Sequence, residues 1–341
     1  MVSINTKETF TFSDILLQPS YSTIESRSNV DVSVKLCKGF SFETPIIAAN
    51  MKTIVGEEMA KLLLKRKALT ILHRFHSSEN EYIELFNKLF SKDNSKYLGV
   101  SLGIKDEDKK LAVKFFGLGC NIFCIDIAHA HSKMGEEMTK FVASNFPDAL
   151  LIVGNIATHQ AAQDLWSCGA DVVKVGIGGG SICSTRLTAG AGVPQLSAVM
   201  DVVDNSKKQM PKQKFVISDG GMREYADLTK ALAWADMVMI GSMLASCQES
   251  PGEIIKKDGK LYKRYSGSST YKMKFVEGVK AMKEIQGNAG DIIDRMHEAL
   301  QSGCSYAGAS NLEELKQKAI FNKISVSALH ETKIHDVIET K

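Results

Sequence analysis

Short apolar runs rich in valine and isoleucine alternate along the chain with stretches whose apolar residues recur every three or four positions. The first pattern is typical of buried strands and the second of amphipathic helices, and their alternation indicates βα units around a parallel sheet. We expect strands at 45–50, 68–73, 97–102, 122–127, 150–155, 171–176, 215–219 and 237–241. Helices are expected at 56–65, 106–115, 134–145, 159–167 and 225–233. Eight strands are the number that a (β/α)8 TIM barrel, an α/β fold, needs.

A doubly wound sheet is the rival architecture, but the glycine motif GxGxxG that opens a helix near the start of such folds is missing. No linker or charge run splits the chain, so we expect a single barrel domain over residues 1–341. Its C-terminal part, from about residue 250, is more polar. The segment EIIKKDGKLYKRYSGSSTYKMK there predicts an exposed hairpin and flap, because long loops in compact enzymes are often lids.

Composition narrows the class of partners. The chain has 42 Lys and Arg residues and 39 Asp and Glu residues, which leaves a net charge of +3. This excess of positive charge is too small to indicate a protein that binds nucleic acid. The seven cysteines are scattered without a CxxC pair, which fits a reducing compartment. No stretch of about 18 apolar residues is present, and the N-terminus lacks an apolar run after a basic region. We therefore expect a cytoplasmic protein that acts on a small molecule rather than on nucleic acid or a membrane.

The segment VGIGGGSICSTRLTAGAGVPQ, residues 175–195, carries the densest candidate chemistry. Its glycines permit a turn that aims backbone N–H groups at an anion or carbonyls at a cation. Ser181 and Cys183 follow at once, although a lone cysteine is more often a small buried apolar residue. Two further turns, Asp219-Gly220-Gly221 and Gly241-Ser242, end the next two strands. Three such turns favour one bound phosphate, with Asp219 suited to a ribose diol.

Several motifs together resemble the IMP dehydrogenase/GMP reductase family. They are GIGGGSICSTR, SDGG at 218–221, MIGSMLA at 239–245, ESPGE at 249–253 and TFSDILLQP at 11–19. The resemblance runs from about residue 12 to about residue 315. It implies a (β/α)8 barrel, a homotetramer, and a loop cysteine that attacks C2 of a purine nucleotide.

The resemblance also implies roles for individual residues. Cys183 would be the nucleophile and Thr185 the catalytic threonine, whereas Arg186 is expected to be structural. The GMP or IMP substrate would be bound by Ser181, Asp219, Gly220, Gly221, Gly241, Ser242, Tyr265, Gly267, Ser268, Ser269 and Gly278. In dehydrogenases of the family, carbonyls of the cysteine loop bind K+, so Gly178, Gly180 and Cys183 are candidate K+ ligands here.

Three features favour the reductase branch over the dehydrogenase branch. Only residues 76–96 fill the interval where dehydrogenases usually insert a CBS module of about 120 residues, so no CBS insertion is expected. The flap sequence GSSTYKMKFVEG lacks the Arg-Tyr pair that dehydrogenases use to activate water, and Arg264-Tyr265 precedes the loop. Glu277 stands where reductases have Glu, and with Thr185 it could pass a proton to departing ammonia.

The resemblance to reductases extends to ANM at 49–51 and to CIDIAHAHS at 124–132, which implies that NADPH is the cofactor. The expected cofactor contacts are Asn50, Arg74, Asp126, Ala128 and Ser132. Lys52, where the family usually has Asp, and the short flap depart from the pattern. The resemblance thus implies NADPH-dependent reductive deamination of GMP to IMP. A dehydrogenase without CBS domains, a purine-nucleotide-binding protein without turnover, and an FMN-dependent barrel oxidase remain the alternatives.

Overall fold

The computed structural model describes residues 2–207, 214–267 and 279–332. Its centre is a parallel sheet of eight strands, namely β1 (Ile46–Ala48), β2 (Thr70–Leu72), β3 (Leu98–Leu102), β4 (Ile122–Asp126), β5 (Leu150–Ile156), β6 (Val172–Val175), β7 (Phe215–Asp219) and β8 (Met237–Ile240). Ladders join β2 to β8 in chain order, and β8 pairs with β1. The sheet closes almost fully on itself, so the expected (β/α)8 barrel is confirmed.

One helix follows each strand and covers the outside of the sheet. These helices are α1 (Glu57–Lys65), α2 (Glu79–Leu89), α3 (Asp106–Gly117), α4 (Lys133–Asn145), α5 (His159–Ser167), α6 (Gln195–Val202), α7 (Ala226–Leu232) and α8 (Ala289–Tyr306). Side chains of Ser78, Ser132, Thr158 and Asn288 accept the free N–H groups at four of their N-termini. The five expected helices are confirmed within two residues at each end, and α2 alone fills the interval between β2 and β3.

The remaining elements lie outside the barrel. A hairpin of Ile254–Lys257 and Lys260–Ser266 is extended by Lys280–Glu284, which confirms the expected hairpin. Strand Ile15–Leu17 pairs with Phe321–Lys323, and Val34–Lys35 pairs with Ser41–Phe42. The short helical segments are Phe12–Asp14, Arg27–Asn29, Thr185–Thr188, Val203–Lys207, Ser242–Ala245, Leu312–Lys318 and Val326–Glu331. No helix in the described ranges is both long and apolar enough to cross a membrane.

The barrel strands form the core because most of their side chains are apolar and buried. All five residues of β3 and four of the five in β4 are buried, and burying each large aliphatic side chain contributes roughly 1.5–3 kcal/mol. Polar side chains appear at the carboxyl ends, where Asp126 closes β4 and Asp219 closes β7. Because parallel strands point the same way, these groups collect at one rim of the barrel.

Candidate active site

A cavity of about 370 Å³ opens at the carboxyl ends of the barrel strands. This volume lies in the range of small-molecule sites, and this rim is where barrel enzymes place their chemistry. The cavity is lined by the glycine loop that follows β6, the turns after β7 and β8, the ends of β4 and β5, and Tyr265 and Gly267 of the hairpin. The expected substrate segments that the structure describes therefore meet in one place.

Cys183 is the accessible thiol of the chain. All seven cysteines lie in the described ranges, and the other six are buried. Burial raises the pKa of the Cys120 and Cys304 thiols to about 12, which makes them poor nucleophiles. Cys183 instead lines the cavity, with its Sγ 3.0 Å from the Thr185 hydroxyl. The two residues expected to carry the reaction are thus in contact.

The cysteine loop is shaped by close packing against Arg186. Gly178 has φ +83°, and a Cβ placed there would lie 2.8 Å from Cγ of Arg186. The guanidinium donates to the carbonyl of Val193, across the loop. Only glycine fits at position 178, because any side chain would be strained and would collide with Arg186. Arg186 braces the loop, as the sequence predicts.

The turns after β7 and β8, which the sequence predicts to bind a phosphate, both line the cavity. Gly220 and Gly221 have φ of +78° and +80°, values that favour glycine, and the Gly220 N–H donates to the Met239 carbonyl of β8 at 3.2 Å. Gly241 lies beside the Tyr265 hydroxyl, which a Cβ there would approach to 3.1 Å. Ser242 follows and lines the same cavity.

Lys283, on the strand Lys280–Glu284, stabilises the turn after β8. Its Nζ donates to the carbonyl and to the hydroxyl oxygen of Ser242, at 2.7 and 2.8 Å. Because Lys283 already fills a lone pair of the hydroxyl oxygen, the hydroxyl hydrogen of Ser242 remains available to an anion. Burial lowers the pKa of Lys283. The sequence did not identify this lysine, because it lies beyond the predicted hairpin and flap segment, in the polar C-terminal part of the chain.

Asp219 is held by two residues that the sequence did not single out. Its Oδ2 accepts a hydrogen bond from Asn155 Nδ2 at 2.8 Å and from Lys174 Nζ at 2.8 Å. Lys174 also pairs with Asp126 Oδ1 at 3.1 Å and donates to the Asn155 side chain. Asp219 Oδ1 has no partner in the described part of the chain, and Asp219 lines the cavity. One carboxylate oxygen is therefore available to a ligand hydroxyl.

The expected cofactor residues fall into two groups. Asn50, Arg74, Asp126 and Ala128 line the cavity on the side of β1, β2 and β4. Arg74 Nε donates to the Asp126 carbonyl at 3.2 Å, and its guanidinium lies 4.6 Å from the Phe75 ring centre.

Ser132 is placed differently from the expectation. Its hydroxyl accepts the Gly135 N–H at the start of α4, and Ser132 does not line the cavity. A serine directly before an amphipathic helix is a common helix cap, and that role explains Ser132 here.

Four expected site residues, Ser268, Ser269, Glu277 and Gly278, lie outside the described residues. The residue before this segment lines the cavity, and the residue after it contacts the cysteine loop. Gly267 is the residue that lines the cavity, and the Val279 N–H donates to the Ile182 carbonyl at 3.1 Å, directly before Cys183.

The fold and the site together define a (β/α)8 barrel protein with a small-molecule cavity that contains an accessible cysteine. Residues 9–335 match the family model of the IMP dehydrogenase / GMP reductase domain. The chain therefore belongs to the IMP dehydrogenase/GMP reductase family, as its motifs predicted.

Curated relatives and a solved structure agree with this assignment. GMP reductase of Bacillus subtilis (strain 168) is 37% identical over 321 residues, which cover 90% of this chain and 94% of that protein. GMP reductase of Onchocerca volvulus is 36% identical over 348 residues, covering 95% and 93%. A cysteine-to-alanine variant of GMP reductase from Trypanosoma brucei, in complex with guanosine 5′-monophosphate, has a TM-score of 0.87 and 25% identity, with 98% and 99% coverage.

Proposed function

We propose that this chain is a GMP reductase that converts GMP, NADPH and two protons into IMP, NADP+ and ammonium. One observation supports the proposal most directly. The accessible thiol of Cys183 lies 3.0 Å from the Thr185 hydroxyl, in a cavity that is also lined by Asp219 and by the glycine turns after β7 and β8, called here the phosphate-type turns. The GMP reductases to which the chain is similar support the choice of substrate.

In this proposal, GMP is bound at both ends. The 5′-phosphate accepts hydrogen bonds from the turns at Gly220-Gly221 and Gly241-Ser242 and from Ser181 and Tyr265, while Asp219 Oδ1 accepts the ribose hydroxyls. Gly267 and the adjoining Ser268, Ser269 and Gly278 contact the base. Binding at both ends positions C2 of the purine at Cys183 and reduces the entropic cost of the attack.

The reaction itself uses the thiol and its neighbour. The Cys183 sulfur forms a bond to C2 of the purine, and the exocyclic amine leaves as ammonia after it receives a proton. Thr185 passes that proton, in concert with Glu277, which is separated from Val279 by one residue in the sequence. NADPH, when bound, would supply the hydride that replaces the sulfur at C2, so that Cys183 would leave as the thiolate and IMP would form.

The residues expected to bind the cofactor are suited to NADPH. Arg74 presents a guanidinium at the cavity wall, and a guanidinium is suited to bind the additional phosphate that distinguishes NADPH from NADH. Asn50, Asp126 and Ala128 would contact the nicotinamide half.

A monovalent cation fits the cysteine loop. Gln195 is 3% exposed, and its Oε1 has no hydrogen-bond partner in the described part of the chain. That oxygen lies against Gly176 and Gly179 of the loop. We infer K+ ligands at the carbonyls of Gly178, Gly180 and Cys183.

We also propose that residues 1–341 form one catalytic domain, which includes the C-terminal flap and extension from about residue 250. We propose that four copies of the chain form a homotetramer in the cytoplasm.

Absorbance at 340 nm tests the activity. Purified protein should consume NADPH with GMP and release ammonia, and it should form no NADH from IMP and NAD+. Cys183→Ala should lower turnover by at least about 1,000-fold while GMP still binds, because the covalent step is lost. Cys168→Ala removes a buried thiol outside the cavity and should retain activity.

Two results would contradict the proposal. NADH formation from IMP and NAD+ alone would identify a dehydrogenase. No change in absorbance at 340 nm in either assay, with GMP bound tightly, would identify a nucleotide-binding protein without turnover.

A further inference from the structure

Lys174 is a charged residue inside the barrel wall. It lies on β6 between Val173 and Val175, and its side chain is only 3% exposed. A buried ammonium needs compensating charge, because its transfer from water costs far more than one hydrogen bond returns. The surroundings of Lys174 therefore reveal its role.

The ammonium of Lys174 contacts side chains on three other strands of the barrel. It contacts Asp219 Oδ2 of β7 at 2.8 Å and Asp126 Oδ1 of β4 at 3.1 Å, and it donates to the side-chain oxygen of Asn155 on β5. Asn155 in turn donates to Asp219 Oδ2 at 2.8 Å. The two carboxylates are thus held close together by one cation and one amide.

The two carboxylates serve different halves of the proposed reaction. Asp219 lies with the phosphate-type turns on the substrate side, and Asp126 lies with Asn50 and Arg74 on the cofactor side. We propose that Lys174 is the positioning residue that offsets the negative charges of Asp219 and Asp126 and holds both side chains in place, so that the GMP and NADPH sites share one buried cation. This inference rests on the proposed function.

Electrostatics gives the expected consequence of losing the cation. Two carboxylates in a poorly solvated site repel each other, and this repulsion raises the pKa of one member of the pair. The pair then takes up a proton as the pH falls, and it titrates as a unit rather than as two separate residues. A protonated carboxyl group is a poorer acceptor for ligand hydroxyls, so ligand affinity should fall with the pH.

The other titratable groups that face the pair do not account for such a change. Burial, followed by the nearby Asp126, raises the pKa of Cys124 on β4, and burial raises the pKa of Tyr265 on the hairpin. Both groups remain neutral between pH 6 and 8. Arg74, which contacts the Asp126 backbone, stays charged throughout this range. For Lys174 itself, burial would lower the pKa, but Asp219 and Asp126 outweigh burial and raise it.

The test measures equilibrium binding by calorimetry at pH 6, 7 and 8. The titrants are GMP, and NADP+ with the protein saturated with GMP. The ratio of the variant Kd to the wild-type Kd at each pH cancels the titration of the nucleotide phosphates. For Lys174→Met we expect this ratio to rise at least about tenfold from pH 8 to pH 6 for one or both ligands. For Lys174→Arg, which keeps the charge, it should stay constant within about threefold.

Two further variants separate this role from a purely structural one. Lys230→Met removes another buried lysine, which pairs with Asp227 on α7 and does not line the cavity. It should destabilise the fold and leave both ratios independent of pH. The double variant Lys174→Met/Asp126→Asn removes the second carboxylate with the cation, and it should restore a constant GMP ratio and part of the stability lost in Lys174→Met.

The outcomes distinguish the inference from the proposed function. Ratios for Lys174→Met that stay constant from pH 8 to pH 6 for both ligands would overturn the inference, even if the wild type reduces GMP. If Lys174→Met does not fold, a double variant whose GMP ratio still changes with pH would overturn it. A pH-dependent ratio for Lys174→Met, in a wild type that binds both ligands but consumes no NADPH, would support the inference and refute the reductase assignment.

Discussion

Thr185 is the residue on which the proton step of the proposed reaction depends. Its hydroxyl is 3.0 Å from Cys183 Sγ, and it is 9% exposed. Thr185→Val replaces the hydroxyl with a methyl group of similar size, so the loop should keep its shape while proton transfer is lost. We expect kcat to fall by about 100-fold to 10,000-fold, with the Kd for GMP changed less than about threefold. Stopped-flow absorbance and calorimetry measure the two quantities.

Thr188 provides the matched control on the same short helix. Its hydroxyl donates to the Ser184 carbonyl, and Thr188 is exposed and does not line the cavity. Thr188→Val should leave kcat within about twofold of the wild type. Equal losses in the two variants would mean that the helix, rather than the Thr185 hydroxyl, limits the reaction.

Among individual residues, the sequence predicted those that lie in the same loop. Cys183 and Thr185 could be found because they are two positions apart in a recognisable motif. Asn155 and Lys174 could not, because they meet Asp219 only when β5, β6 and β7 lie side by side. The one local signal was a lysine within an otherwise apolar strand, VVKV, since a buried charge needs a partner.

Among the elements, the segment after β2 carries a stack of three aromatic side chains. The rings of His73 and His76 are 4.2 Å apart, and those of His76 and Tyr82 of α2 are 4.5 Å apart. The Tyr82 hydroxyl accepts the Ser101 N–H and lies within hydrogen-bond distance of the Leu72 carbonyl, which ties the stack to β2 and β3. Burial, followed by the proximity of His76, lowers the pKa of His73 to about 3.

This stack should make stability depend on pH. His73 stays neutral in the folded chain but takes up a proton in the unfolded chain below pH 6.5, so its stabilising contribution is complete above pH 6.5 and is lost as the pH falls toward 3. His73→Asn keeps an acceptor for the Phe75 N–H that His73 Nδ1 now accepts. The stability deficit of this variant should therefore shrink by roughly 2–3 kcal/mol between pH 7.5 and pH 4.5.

Urea unfolding at the two pH values measures this difference. The groups facing His73 are His76, Lys52 and Glu81, all of which are present in both proteins, so their titration largely cancels. His129→Asn changes an exposed histidine and serves as the control. A deficit of His73→Asn that is the same at both pH values would show that His73 takes up its proton equally well in the folded chain.

The strands were more predictable than the helices for a physical reason. A strand buried on both faces is a nearly continuous apolar run, so all eight were found with small errors at their ends. Helices α2, α6 and α8 were not predicted. The buried residues of α8 have helical spacing, but this helix lies beyond the last predicted strand, in the more polar C-terminal part, where no alternation with strands indicated it.

Across the whole molecule, the two ends of the described chain meet. Strand Ile15–Leu17 pairs with Phe321–Lys323, and the Ser20 N–H donates to the Tyr306 carbonyl. Tyr306 is 54% exposed and the nearby Tyr21 is 90% exposed. Exposed tyrosines are typical of protein interfaces, because their rings bury large areas at a low entropic cost.

This exposed tyrosine pair allows a test of the proposed homotetramer. Light scattering should give about four times the chain mass of 37.3 kDa. Tyr21→Ser should raise the concentration at which the assembly dissociates by about tenfold or more, because an interface aromatic often contributes at least about 2 kcal/mol. Val113→Ser, on α3 and 53% exposed, should change it little. A wild-type mass near 37.3 kDa would rule out the tetramer. If Tyr21→Ser changes the dissociation concentration no more than Val113→Ser does, the interface does not include Tyr21.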